Sequence, residues 1–194
     1  TQDIILRVMA DVPGRLVSGS FVDFATTRNA ALDLEKEAVF SLMLSGDETL
    51  EAPEALRAFC EEHQNATDGA YNIAIRNGGS LWDSARLTRT SAGWRYRGAV
   101  HEVLMGPADE IATVRVPRAA IRHEITDMGR RRERYERDLK LLQAEREREP
   151  MNPRTVFYLA QTYDCLGQSD KALDLYRLRV QMEGGWHGGY DPLH

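Results

Sequence analysis

The stretch “VFSLMLSGDETL”, residues 39–50, decides how the first half of the chain is expected to fold. It runs six residues without a charge, as a buried strand does, and then places Asp47 and Glu48 just after the small pair Ser45 and Gly46. Carboxylates at the end of a strand are compatible with a surface turn, a helix cap or a metal ligand. The stretch itself does not separate these three possibilities, so the sequence around it has to.

Helical and strand-like segments alternate around this stretch. Apolar residues at helical spacing predict helices on both sides of it, and Asp23 stands where the N-cap of the preceding helix is expected. The order is helix, strand, helix, strand and helix, at residues 3–12, 15–18, 24–38, 39–44 and 52–63. Short connections between such elements indicate an α/β sheet whose consecutive strands run parallel. Ligands of such sheets bind beyond the carboxyl ends of the strands, where residues 45–48 would lie.

The second half of the predicted sheet has a different sequence pattern. Short strand-like pieces follow from residue 71: “YNIAI” 71–75, “WDSARL” 82–87, “WRYRG” 94–98 and “AAIRHE” 119–124. Turns containing Gly, Ser and Asp separate them, which favours antiparallel pairing. We therefore predict a mixed sheet flanked by helices over residues 1–127.

One long amphipathic helix is predicted next, over residues 128–150. It holds fourteen charged side chains, eight basic and six acidic, beside an apolar row at Tyr135, Leu139 and Leu142. Because the two signs are interspersed, these charges indicate a solvated face rather than a nucleic-acid surface. The two prolines of “EPMNPRT” end this connecting helix and mark a domain boundary.

Residues 151–194 are predicted to form an α-helical hairpin of the tetratricopeptide type. The positions that a repeat of roughly 34 residues uses for its helix-pair contacts are occupied by Val156, Leu159, Ala160, Tyr163, Ala172 and Tyr176. The segment “LGQSDKAL” supplies the turn, near Leu166 and Gly167. A lone repeat cannot bury its own faces, so the hairpin is expected to pack on a neighbouring helix.

The overall composition singles out no class of partner. Hydrophobic residues make up 42% of the 194 residues, charged residues 28%, and the net charge is −5, so no large field of one sign is expected. No apolar run reaches the roughly 20 residues that span a bilayer, and “TQDIILRV” lacks the layout of a signal peptide. We expect a cytoplasmic protein with no membrane span and no nucleic-acid partner.

Five motifs, taken in order, carry a family resemblance: “DFATTRNAAL”, “LMLSGDETL”, “WRYRGAVHE”, “IRHE” and “NPRTVFYLAQTYDCLGQSDKALDLYRLR”. The chain resembles the bacterial family 2 glycosyltransferases that carry a C-terminal tetratricopeptide segment. This resemblance implies a GT-A fold, a nucleotide-diphosphate-sugar donor, a divalent metal (Mn²⁺ or Mg²⁺) and inversion at the anomeric carbon. It also implies that the first nucleotide-binding strand of the family is missing from residues 1–127.

The resemblance places a metal-held diphosphate at residues 45–47. The D-x-D motif of the family aligns with Ser45, Gly46 and Asp47, so a serine replaces the first acid. Asp47 is then a direct metal ligand and His123 a second one, while the Ser45 hydroxyl is left to bind sugar or ribose. A cation there neutralises the charge on the departing diphosphate. The competing interpretations are a solvated turn or an inactivated site at Asp47, and a simply packed histidine at His123.

The acceptor side is implied to involve the segment “WRYRGAVHE”. Inverting transfer needs a base that takes the proton of the acceptor hydroxyl, and Glu102 is the candidate, with His101 orienting the acceptor. Trp94 and Arg97 are the candidate acceptor-binding residues. An ordinary exposed acid at Glu102 and core packing of the aromatic side chain are the alternatives.

The donor side is implied to involve the helix before the central strand. Arg28 and Asn29 match an Arg-Asn pair of the family, in which a guanidinium pairs with phosphate and an amide holds the loop backbone. A solvated helix-surface arginine is the alternative.

Two functions from different classes compete. The first is the metal-dependent, inverting glycosyltransferase, whose acceptor would be a carbohydrate or a protein. The second is a non-catalytic binding module built on a degenerate transferase domain. In that case Ser45, which replaces the first acid of the D-x-D motif, indicates lost activity, and the helical repeat binds a peptide partner.

Overall fold

The computed structural model describes residues 2–34, 37–124 and 131–182, and these form a mixed α/β structure. The helices are α1 Gln2–Val8, α2 Phe24–Leu34, α3 Pro53–Glu62, α4 Arg131–Arg148, α5 Pro153–Cys165 and α6 Ser169–Gln181. The strands are β1 Phe40–Leu42, β2 Glu48–Glu51, β3 Ala70–Asn77, β4 Ser80–Arg89, β5 Arg95–Arg97, β6 Val103–Met105 and β7 Arg115–His123.

The main sheet has five strands in the order β1-β4-β3-β7-β2, and β5 pairs with β6 in a small separate sheet. Only the β3–β7 pair is parallel; the β1–β4, β3–β4 and β2–β7 pairs are antiparallel. The prediction that the strands at 15–18 and 39–44 run parallel is therefore wrong, because residues 15–18 form no strand and, among the described residues, β1 pairs only with β4, in the antiparallel sense.

Two local predictions around β1 need correction. Residues 15–18 form no strand, because no strand among the described residues hydrogen-bonds to them. Asp47 does not lie between a strand and a helix, since β2 begins at the next residue and α3 begins only at Pro53. The strand that precedes Asp47 is an edge strand rather than a central one.

The sheet is strongly curled. Arg86 belongs to β4 and Glu48 to β2, and two other strands lie between these in the sheet. Their side chains nevertheless form an ion pair with Nη2 and Oε1 2.8 Å apart. Such a contact across the sheet requires pronounced twist and coiling, which brings the two edges towards one another. Residues 45–48 therefore lie over the concave face of the sheet.

The sheet buries apolar side chains on both of its faces. One core packs α3 against the sheet and contains Leu56, Phe59, Tyr71, Ile73, Ile75, Leu87, Val116, Ala119 and Ile121. A second core contains Ala25 of α2 with Ala70, Trp94, Tyr96 and Leu104. The predicted start signals of both flanking helices are confirmed: Asp23 Oδ1 accepts a hydrogen bond from the Thr26 amide at 2.7 Å, and Pro53 occupies the first turn of α3.

The helices α4, α5 and α6 enclose a third core. The predicted helix pair is present: α5 starts at the Asn152 cap and turns into α6 at residues 166–168, where Gly167 takes a φ of 74°. Ala160 and Ala172 are both buried at the contact of the two helices. Because Leu142 of α4 belongs to the same core, α4 is the neighbouring helix on which the pair packs.

Parts of two predicted regions lie outside the described residues. The connecting helix predicted over 128–150 is seen as α4, while residues 125–130 and 183–194 are not described. The division of the chain near residue 150 stays a prediction. Among the residues that the structure covers, no helix combines the length and the apolar character needed to cross a membrane.

Candidate functional site

Asp47 and His123 meet at the edge of the sheet. The strand pairing sets Glu48 opposite His123, and the Glu124 amide donates to the Asp47 carbonyl at 3.0 Å. The side-chain atoms Asp47 Oδ2 and His123 Nε2 lie 3.1 Å apart. The predicted approach of these two residues is thus present, although it occurs where β7 ends and the edge strand β2 begins.

The geometry of the Asp47–His123 pair fits one shared cation. Adjacent ligands of an octahedral ion with bonds of about 2.1 Å stand about 3.0 Å apart, close to the observed separation. Within residues 2–34, 37–124 and 131–182, no three or more His, Cys, Asp and Glu side chains are grouped as a metal site. Of the described residues, Asp47 and His123 are the two that could serve as ligands of such a cation.

Arg28 links the Ser45 loop to Glu102. Its Nε lies 2.6 Å from Glu102 Oε1, and its Nη2 donates to Ser45 Oγ at 3.2 Å. The Arg28 and Glu102 side chains keep only 15% and 12% of their surface exposed. The alternative of a solvated arginine and an ordinary exposed acid does not describe these side chains. The sequence placed the three residues in three separate motifs, and the fold brings them into contact.

A second ion pair, between Glu48 and Arg86, holds the loop of residues 45–47 in place. Glu48 Oε1 accepts from Arg86 Nη2 at 2.8 Å, and Oε2 accepts from the Ser45 amide at 2.7 Å. The Glu48 side chain is only 4% exposed. A buried carboxylate with both oxygens engaged holds its neighbours in one arrangement, so Arg86 and Glu48 position residues 45–47.

Asn29 holds the backbone of β5. Its Nδ2 donates to the Tyr96 carbonyl at 2.9 Å, and its Oδ1 accepts from the Tyr96 amide at 2.8 Å. The amide thus acts on a strand backbone, as the Arg-Asn pair was expected to do on a loop. Because both amide atoms are engaged, Asn29 orients α2, and with it Arg28, against the strand that leads to Glu102.

A cavity of about 350 Å³ opens between these groups. Its charged and polar lining comprises Arg28, Asn72, Asp83, Ser84, Arg86, Tyr96 and Glu102. Val103, Leu104, Ile111, Ala85 and Ala112 form the apolar part of its wall. The volume falls near the lower end of the roughly 300–1,000 Å³ that small-molecule sites occupy. Arg28 and Glu102 therefore face a space that can admit a ligand.

His101 is turned towards the helices. It adopts a φ of 53°, unusual for a residue with a side chain, and its ring stacks on Tyr158 of α5 with centroids 4.2 Å apart. Burial lowers the pKa of His101, the Arg154 guanidinium adds to the effect and the Asp138 carboxylate opposes it. The residue as a whole is nevertheless exposed, so it is the stacking of the ring on Tyr158 that removes part of it from water. This placement does not bring His101 into the cavity beside Glu102.

Trp94 and Arg97 stand apart from the Arg28–Glu102 pair. Trp94 is a buried core residue, and it packs so closely on Gly69 that a Cβ there would lie 1.8 Å from the indole nitrogen. The predicted role of Trp94 in acceptor binding has no surface to act through, because core packing covers the ring. Arg97 is half-exposed and forms an ion pair with Asp109.

The loop that carries Glu102 is anchored to the helical core. Glu145 of α4 accepts from the Ala99 amide at 2.7 Å through Oε1 and from Thr155 Oγ1 at 2.9 Å through Oε2. Val100 is buried among the apolar side chains of α4, α5 and α6. The helices therefore determine where residues 98–102 lie.

Sequence reasoning missed the roles of Glu48, Arg86 and Glu145. Glu48 stands beside Asp47 in the opening stretch but was given no function. Arg86 lies inside a predicted strand, where a charged residue signals a buried partner. Glu145 carried no such signal, because it is one of many charges on an amphipathic helix.

Comparison with known proteins places the chain in no group. No protein-family model matches it, and no curated protein matches it either.

Proposed function

We propose that the chain belongs to an inverting, metal-dependent glycosyltransferase of the GT-A type, with a tetratricopeptide-like helix pair at its end. The enzyme would move a sugar from a nucleotide-diphosphate sugar to an acceptor hydroxyl. One observation carries the proposal: Arg28 contacts both Ser45 and Glu102, and Asp47, two residues beyond Ser45, contacts His123, so residues from four distant segments form two neighbouring groups. Motifs that together form one active site are expected to meet in the folded chain, whereas unrelated surface charges are not.

The roles of the residues follow from their contacts. Asp47 and His123 would hold the divalent cation, which supplies positive charge to the departing diphosphate. Ser45 offers a hydroxyl to the donor, and Glu48 with Arg86 keeps the Ser45 loop in place. Neither of these two positioning residues needs to touch the substrate.

Glu102 is proposed as the general base. Arg28 Nε occupies Oε1, so Oε2 is the atom that we assign to the acceptor proton. Arg28 orients the carboxylate and also touches the Ser45 hydroxyl, which ties the acceptor side of the cleft to the donor side.

The test compares two isosteric substitutions. Glu102→Gln keeps the shape and removes the basicity, so transfer should fall by roughly 10²–10⁴-fold with little change in donor binding. Glu136→Gln, which alters an exposed acid paired with Arg132 on α4, is the matched control and should leave transfer unchanged. Near-normal turnover by Glu102→Gln would exclude Glu102 as the base.

A non-catalytic binding module remains the second candidate, for one specific reason. The Asp47–His123 distance is also that of an ordinary hydrogen bond, so the pair is satisfied without a metal. In this alternative the helix pair would bind a peptide. Release of sugar to water from a panel of nucleotide sugars with Mn²⁺ separates the two, because a scaffold produces none.

A further inference from the structure

The backbone of Ala99 is hydrogen-bonded on both sides. Its amide donates to Glu145 Oε1 of α4 at 2.7 Å, and its carbonyl accepts from the amide of Phe24, the first residue of α2, at 3.2 Å. The residue is only 2% exposed, so water does not replace either partner. The position of Ala99 is therefore set jointly by α4 and α2.

The bond between Phe24 and Ala99 joins the two segments that carry the Arg28–Glu102 ion pair. Arg28 follows Phe24 by about one turn of α2, and Glu102 follows Ala99 by three residues. The 2.6 Å contact between Arg28 Nε and Glu102 Oε1 therefore depends on how α2 and the loop 98–102 are placed against one another. Whatever fixes Ala99 also fixes this contact.

The loop does not hold its shape through its own backbone preferences. Gly98 takes a φ of 100°, and His101 takes a φ of 53°. A glycine reaches positive and negative φ about equally readily, and a residue with a side chain rarely adopts the left-handed region. Contacts from outside the loop must therefore select this arrangement.

Glu145 supplies such a contact and is itself held in place. Its second oxygen, Oε2, accepts from Thr155 Oγ1 at 2.9 Å, and Thr155 is only 1% exposed. Hydrogen bonds to a carboxylate are roughly twice as strong as those between neutral groups. Without this side chain the buried Ala99 amide would lose its acceptor, and the loop would have to move to bring that amide to water.

We propose that Glu145 is a positioning residue of the transfer reaction, which sets Glu102 against Arg28 by fixing the Ala99 amide. It acts through Ala99 rather than on the substrate, and for this it has to accept hydrogen bonds but not to carry a charge. This inference rests on the proposed transferase function and adds α4, which lies outside the sheet, to the elements that shape the site.

The test follows the Arg28 Nε–H proton by NMR in the isotope-labelled whole chain, where Arg28→Lys identifies the signal by its loss. Glu145→Ala should speed the exchange of this proton with water at least about tenfold, because the ion pair with Glu102 opens. Glu145→Gln keeps an oxygen that can accept from the Ala99 amide and should restore slow exchange. Glu147→Ala removes an exposed acid of the same helix and is the matched control, with unchanged exchange.

Exchange of the backbone amides separates positioning from a general loss of stability. A general loss would speed the buried amides of β3 to the same degree as the Arg28 proton, and that result overturns the inference. So does an Arg28 proton that exchanges as slowly in Glu145→Ala as in the unaltered chain, or equally fast in Glu145→Ala and Glu145→Gln. Thr155→Val removes the second bond of Glu145 and should speed the exchange to a smaller extent. If Glu145→Ala does not fold, unchanged exchange in Thr155→Val overturns the inference.

The two proposals can fail separately. The exchange measurement needs no substrate, so a chain that releases sugar from no donor contradicts the transferase function while exchange still decides whether Glu145 sets the ion pair. Where transfer is observed, Glu145→Ala should lower kcat at least about tenfold, with the donor KM nearly unchanged because Asp47 and His123 stay in place. Glu145→Gln should restore kcat. A normal kcat in Glu145→Ala contradicts the positioning role and leaves the transferase function standing.

Discussion

The Arg28–Glu102 and Asp47–His123 pairs are linked through the segment 45–47, and they differ in exposure. The first pair keeps 15% and 12% of its side-chain surface, whereas the second keeps 30% for His123 and 49% for Asp47. Charges taken out of water depend on their protein partners, while exposed charges can exchange a partner for water or a ligand. The buried pairs thus fix the shape of the cleft, and the open pair is free to change its contacts.

Removing one member of a buried pair should have the largest effect on stability. Glu48→Ala leaves the Arg86 charge without its partner and the Ser45 amide without its acceptor. We expect the free energy of unfolding in urea to fall by about 3–5 kcal/mol. Glu124→Ala, an exposed ion-pair partner, should cost less than about 1 kcal/mol. Equal losses in the two variants would show that burial does not separate the pairs.

Asp47→Ala should act on metal binding rather than on stability. The side chain is half-exposed, and its backbone bond to Glu124 does not depend on the carboxylate. We expect affinity for Mn²⁺, measured by calorimetry, to fall at least about tenfold, with a stability change below about 1 kcal/mol. Asp33→Ala is the control at an exposed ion pair of α2. Unchanged Mn²⁺ binding in Asp47→Ala would remove the metal role from the open pair.

Two histidines differ in their contacts rather than in their exposure. His123 sits in the open pair, while His101 is stacked on Tyr158. Because the folded-state pKa of His101 is lowered, the unfolded chain binds the proton more readily. Its contribution to stability should be present above about pH 6.5 and lost as the pH falls. His101→Asn tolerates the left-handed backbone and cannot titrate, so unfolding free energies from pH 5 to about pH 8 should depend less on pH. The same slope in both proteins would contradict this assignment.

The smallest effect is expected at the Arg97–Asp109 pair. Both side chains are about half-exposed, so solvent screens their attraction. Arg97→Gln should change the free energy of unfolding by less than about 0.5 kcal/mol, as measured in urea. A loss of several kcal/mol would place Arg97 in a structural role that its exposure does not indicate.

Local sequence signals were sufficient to predict where these helices begin and end. The Asp23 cap, the proline at 53 and the turn at residues 166–168 each depend on neighbours within one or two turns of chain. Strand order was not accessible in this way. Which strand pairs with β1 or β2 depends on contacts 40 or more residues away, and the period-2 pattern of a strand does not specify its partner.

The candidate site could be predicted only in part for the same reason. The order of the motifs identified Arg28, Ser45, Asp47, Glu102 and His123, and the fold brings these residues into two contacting groups. The ion pair between Glu48 and Arg86 depends on the curl of the sheet. The stacking of His101 on Tyr158 depends on how α5 docks against the loop, and neither feature has a sequence signature.

The anchoring of residues 98–102 by Glu145 and Val100 limits how the chain can evolve by recombination. Exchanging the helical end with that of another protein by recombination near residue 150 would keep Glu145, the acceptor of the Ala99 amide, but would replace its second partner Thr155 and would require a matching space for Val100. The helices and this loop must therefore vary together. Lineages that reshuffle the C-terminal helices should carry compensating changes at positions 99, 100, 145 and 155, and a hybrid made without them should lose the Glu102 geometry before it loses the sheet.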